Sequence, residues 1–161
     1  MRKIKEILEN KKNIKHQLKQ AILNNDYAEM QYLINNNYYD LNELDEHYYS
    51  LLDYALICKN LKIIKYLVNR KVKLGLTLYQ INKENIFIDK IKLLHAAEYD
   101  LNNLDIVGFA PIHYASTLGF ADAIKLLMQY DIKILKTAIN GDTPIKLAIK
   151  NSKIGVYIGT A

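Results

Sequence analysis

Apolar residues recur along this chain in short clusters at helical spacing. Residues 28–33 read AEMQYL, 61–67 LKIIKYL, 87–94 FIDKIKLL and 120–127 FADAIKLL. In the last two, the rows Ile91/Leu94 and Ile124/Leu127/Met128 step by three and four, which is the apolar stripe of an amphipathic helix. Ile4, Ile7, Leu8, Ile14 and Leu18 make a similar stripe at the N-terminal end. One such stripe cannot be buried by a lone helix pair; stacked neighbours can bury it.

The clusters keep a period. Gly75, Gly108 and Gly141 stand 33 residues apart, as do the pairs Pro111/Pro144 and Ala115/Ala148. The cluster at 87–94 precedes that at 120–127 by the same 33. A fixed period of this length is the signature of a repeat architecture, and it directs the search for function to the long face made by successive turns.

Residues 108–128, GFAPIHYASTLGFADAIKLLM, and 141–149, GDTPIKLAI, carry the motif. They resemble the ankyrin repeat at Gly108, Pro111, Ile112, His113, Ala115, Gly119, Ile124, Leu126 and Leu127, and again at Gly141, Thr143, Pro144, Ile145 and Ala148. The phrases Asp40-Leu41-Asn42 and Asp100-Leu101-Asn102 resemble the close of such a repeat. The resemblance implies an all-α ankyrin-repeat solenoid of about five helix-turn-helix repeats with short β-turn or hairpin connections. It is expected to form a single domain over 1–161: a capping helix region at 1–14, then repeats at about 15–44, 45–74, 75–104, 105–137 and 138–161.

Repeat three is irregular. Repeats are anchored at Ala21, Ala55, Asn82, Ala115 and Ala148, and Ala55 to Asn82 is only 27 residues. The missing six are expected in the connection around Arg70–Leu76, clipped to a tight turn at Gly75 with positive φ. Leu78 and Gln80 stand where the motif has Pro and His. Pro111 and Pro144 are expected to start helices, where a missing N–H costs nothing. Thr143 caps one of these starts; Ala110 in the other copy forfeits that cap, at about 1 kcal/mol. Ala115 and Ala148 are small where helices cross closely, and Gly119 ends a helix in the left-handed conformation. His113 reads as a structural hydrogen-bonder, the role the resemblance implies.

Composition narrows the function classes. With 161 residues, half of them hydrophobic, two Pro and six Gly, the chain has ample core and little linker. A single cysteine, Cys58, rules out an intramolecular disulfide framework. No GxSxG, P-loop or HExxH occurs, and the histidines show no zinc-ligand spacing, so no catalytic residue, cofactor or metal is expected. No secretory signal and no run of about 18 apolar residues occurs, which predicts a cytoplasmic location and no membrane partner. Abundant Asn, Lys, Ile and Tyr, with A/T-rich codons, suit an intracellular bacterium or a large DNA virus. In that case the location is a host cell and the chain a secreted effector.

The resemblance implies a non-enzymatic protein–protein interaction module that binds a partner through hairpin tips and the concave first-helix face. By position, the candidates are Glu46, His47 and Tyr49 in repeat two, Ile106, Val107, Phe109, Thr117 and Leu118 in repeat four, and Ile139 and Asp142 in repeat five. Ile106, Val107, Phe109 and Leu118 form either an exposed apolar patch, the mark of an interaction site, or a patch folded inward beside the clipped connection. Net charge is +5, much of it in Met1–Lys19. This region is either a polar end cap, with Ile4, Ile7, Leu8, Ile14 and Leu18 as its inner stripe, or a binder of nucleic acid or anionic surfaces. Glu6, Glu9 and the lack of an aromatic platform argue against nucleic acid. The last repeat is truncated, and Gly155 and Gly159 weaken its helix by about 1 kcal/mol each. That end is expected to fray, to self-associate or pair with another chain, or to mark an adaptor fragment of a larger protein.

Overall fold

The computed structural model describes the backbone of residues 1–159 and the side chains of residues 1–152. Expectations for the surroundings of Gly155–Gly159 and for residues 160 and 161 lie outside the described residues. The architecture is all-helical: α1 (Arg2–Leu23), α2 (Tyr27–Asn36), α3 (Leu51–Cys58), α4 (Leu61–Asn69), α5 (Glu84–Ala96), α6 (Pro111–Leu118), α7 (Ala121–Gln129) and α8 (Pro144–Gly159). No strand occurs among the described residues. The chain divides into two compact halves, Met1–Leu74 and Gly75–Ala161, at the boundary the periodicity places between repeats two and three.

In the N-terminal half, α1 packs on α2 and on α3, and α3 packs on α4. Leu18, Ile22, Met30, Leu52, Leu56, Ile63, Ile64 and Leu67 are fully buried there, and Leu18, Met30, Ile63, Ile64 and Leu67 come from the apolar clusters read in the sequence. In the C-terminal half, α6 packs on α7 and α8, and α5 on α7. Phe87, Ile91, Leu94, Ala115 and Leu127 are fully buried, with the Phe87 and Phe120 rings edge to face at 5.6 Å.

Helix ends follow local chemistry. α6 and α8 begin at Pro111 and Pro144. Ser50 and Asp53 form a reciprocal capping box at the start of α3. Thr143 Oγ1 accepts the Lys146 amide at 3.3 Å, while Ala110 offers no side-chain cap. After most helices one residue turns left-handed: Asn25, Lys59, Lys71, Glu98, Gly119 and Asp131. The next amide then reaches back across the turn, as from Val72 to the Leu67 carbonyl at 3.1 Å and from Tyr99 to that of Leu94 at 3.0 Å.

Five expectations need correction. In repeat three the connection after α4 is short, residues 70–75, as expected, but the first helix is reduced too: residues 76–80 make a single turn, with the Gln80 amide bonded to the Leu76 carbonyl at 3.3 Å. Gly75 does not take positive φ, because the short connection forms no finger closure of the kind that Gly108 and Gly141 complete. Ala148 is exposed rather than wedged between crossing helices, since α8 runs on to Gly159 without reversing onto itself. Ile14 and Leu18 line the inner stripe of α1, but Ile4, Ile7 and Leu8 are 62, 58 and 55% exposed, because none of the described residues covers that stretch. Met128 is likewise 58% exposed although Leu127 beside it is buried.

Candidate interaction surface

Three projecting turns, here called fingers, share one closure. In residues 45–49 the Asp45 amide donates to the Tyr49 carbonyl and the Tyr48 amide to the Asp45 carbonyl, both at 3.0 Å. Residues 105–109 repeat this at 2.9 and 3.0 Å, and residues 138–142 at 2.8 and 2.9 Å. The closure needs a left-handed fourth residue: Tyr48 (φ 62°), Gly108 (φ 87°) and Gly141 (φ 79°).

Two fingers are organised by an acid–phenol pair, buried at Asp105–Tyr114 and half-buried at Asp45–Tyr54. Asp45 Oδ1 accepts the His47 and Tyr49 amides, and its Oδ2 accepts the Tyr54 hydroxyl. Sixty residues on, Asp105 accepts the Val107 and Phe109 amides, and the Tyr114 hydroxyl at 2.5 Å. Each carboxylate therefore satisfies the amides inside its turn. The electrostatics differ. At Asp45 burial alone would raise the carboxyl, but Tyr54, the two amides and Lys19, 3.6 Å away, outweigh it and hold the pKa below its ordinary value. At Asp105 burial dominates and pushes the carboxyl up, despite the bonds from Tyr114 and the finger amides. Among the described residues no lysine offsets that burial.

The repeat closes are tied in the same doubled way. Asn42 Oδ1 accepts the Lys73 amide at 2.8 Å, and Asn102 Oδ1 the Lys133 amide at 2.7 Å. His113, fully buried, accepts the Ala110 amide at Nδ1 (3.0 Å). Its Nε2 lies 2.9 Å from the Lys136 carbonyl. A carbonyl only accepts, so Nε2 carries the proton.

With the turn backbones satisfied internally, side chains are what the fingers present. Glu46 and His47 are exposed and 4.0 Å apart, and Tyr49 is half-buried against Tyr54. Ile106 is 39% and Ile139 76% exposed. Val107 and Phe109 are half-buried, Phe109 leaning on the His113 and Tyr114 rings. The repeat-four patch is thus split: its tip and Leu118 face solvent, and its flank folds inward. Thr117 is exposed. Asp142 is half-buried, and the Lys150 ammonium, 2.9 Å away, holds its carboxyl below the ordinary range.

The structure joins two of these groups. The Ile139 amide donates to the Gly108 carbonyl at 2.9 Å, so fingers 105–109 and 138–142 touch. A Cβ on Gly108 would lie 2.3 Å from an Ile139 methyl. The organising residues Asp45, Tyr54, Asp105 and Tyr114 escape a reading built on the 33-residue period, but their sixty-residue interval is present in the sequence. An apolar groove of about 230 Å³ between α6, α7 and α8 also went unread; Ile112, Ile124, Met128, Pro144 and Ile145 line it.

Among the described residues, no helix is long and apolar enough to cross a membrane, and no His, Cys, Asp and Glu gather in a group able to hold a metal. No family model matches the chain, and no curated protein matches it.

Proposed function

We propose that the chain is a non-enzymatic, ankyrin-type scaffold that binds a partner protein in the cytoplasm, mainly through the paired fingers 105–109 and 138–142. The carrying observation is that these fingers bond to each other, satisfy their own amides, and leave Ile106 and Ile139 facing water beside half-buried Val107 and Phe109. Aliphatic tips on a pre-formed polar frame gain binding energy from burial without an ordering cost. The 33-residue period, the recurring finger closure and the packing of α6 on α8 and α5 on α7 support the ankyrin reading.

The test is selection of displayed random peptides on the immobilised chain. Enriched peptides are expected to lose binding to the double variant Ile106→Asp/Ile139→Asp, with circular dichroism unchanged, and to keep binding to Glu46→Ala. Retained binding by the double variant would remove the paired fingers as the site. Turnover of a hydrolase or transferase substrate by the purified chain would remove the non-enzymatic reading.

A further inference from the structure

The first half of α1 is a helix that the described residues leave uncovered. Residues 1–13 are all exposed, whereas Ile14, Leu18, Ala21 and Ile22 of the same helix are buried in the half that contains α2 and α3. Ile4, Ile7, Lys11, Ile14, Leu18 and Ala21 follow one another at alternating steps of three and four, the seam of a helix–helix contact. One apolar stripe therefore runs the length of α1. The chain covers its lower part and leaves Ile4, Ile7 and Leu8 to solvent.

We infer that this projecting stretch, Arg2–Asn13, is a docking site for an acidic amphipathic helix of a partner protein. The covered part of α1 shows the chemistry the uncovered part lacks. Lys15 bonds Glu43 at 3.2 Å and the Leu44 carbonyl at 2.5 Å, and Lys19 stands 3.6 Å from Asp45. Further up the helix, Lys12 and Lys5 stand on the same side of the seam, Lys3 flanks it on the other side, and Lys11 lies within it. None of these four has an acidic partner among the described residues. The acids on this stretch turn away: Glu6 pairs with Arg2 at 3.9 Å on the far side, and helical spacing puts Glu9 there too.

An apolar seam with a cationic rim fits an apolar helix with an acidic rim. A second copy would set lysine against lysine. A lipid surface laid flat along Ile4–Leu8 would meet α2 and α3, which pack on the same face of α1, whereas a rod beside them would not. Nucleic acid gains nothing from three aliphatic side chains, and no Phe, Tyr or Trp precedes Tyr27.

The experiment titrates the full chain with a labelled synthetic helix of about three heptads, Leu in its seam and Glu on its flanks. Controls are the same peptide with Lys flanks, a scrambled peptide of identical composition, phosphatidylserine vesicles and duplex DNA. The Glu-flanked helix is expected to bind at least about tenfold tighter than either peptide control. Amide shifts should concentrate on residues 2–13, and Ile7→Asp should abolish binding while helicity is kept. Any of four results overturns the inference: equal binding of the scrambled peptide, binding that survives Ile7→Asp, vesicle or DNA binding lost in that variant without peptide preference, or a dimer that it dissolves. The finger variants are expected to bind this peptide normally, so failure here and failure of the finger reading are distinguishable.

Discussion

At the scale of single residues, His113 is a structural joint. Both ring nitrogens are used, one by the Ala110 amide that begins α6 and one by the Lys136 carbonyl before the next finger. The first repeat pair solves the same problem with Ser50 and Asp53, sixty residues earlier. Removing the imidazole strands a buried amide and opens a cavity. His113→Ala is therefore expected to lower stability by about 2–4 kcal/mol. It should appear as a fall in the urea midpoint at constant slope, and a loss below about 0.5 kcal/mol would show that solvent replaces both bonds. His113, Pro111, Pro144 and Gly119 were legible because each answers a local backbone need. Asp45 and Asp105 were not, because a carboxylate that holds a turn together looks in sequence like any surface acid.

At the scale of elements, two expectations follow from backbone geometry. Glu98 sits left-handed after α5 at φ 60°, where its Cβ is strained. It is exposed, so Glu98→Gly is expected to stabilise by up to about 1 kcal/mol in thermal unfolding. A destabilisation would mean that the side chain makes a compensating contact. Gly108 combines positive φ with the Ile139 contact, and Gly108→Ala is expected to cost about 2 kcal/mol or more. Ile139→Ala in the same chain should recover part of that loss, and strict additivity in the double-mutant cycle would deny the finger–finger contact. Helix positions were readable because apolar rows step at three and four wherever neighbours bury them. Repeat three was not. Its second helix kept the rows Ile91 and Leu94, and Leu78 and Gln80 in place of Pro and His marked the repeat as irregular, but they did not signal that one turn stands in place of a helix. The exposure of Ile4, Ile7 and Leu8 was equally hidden, since a stripe in sequence does not say what lies across from it.

At the scale of the whole molecule, the sixty-residue correspondence sets up an opposed response to acid in the two halves. Asp45 has a depressed carboxyl, so the stability it contributes is present above the ordinary aspartate value of 3.8 and is lost as pH falls through its lower folded value. Asp105 has a raised carboxyl: its ionised form is penalised by burial, so its contribution is present below 3.8 and is lost as pH rises through the folded value. Asp142 shares the direction of Asp45, but its pairing with Lys150 is exposed and screened by salt. On moving from neutral pH toward pH 3, core amides of Met1–Leu74 are therefore expected to lose hydrogen-exchange protection sooner than those of Gly75–Ser152. Asp45→Asn should flatten the acid response of the first half. Asp105→Asn should remove the stabilisation that the second half gains on acidification, because an amide keeps the acceptor oxygen without the buried charge. Equal loss of protection in both halves, unchanged by either substitution, would mean that the carboxylates inside the fingers do not set the acid sensitivity of the fold.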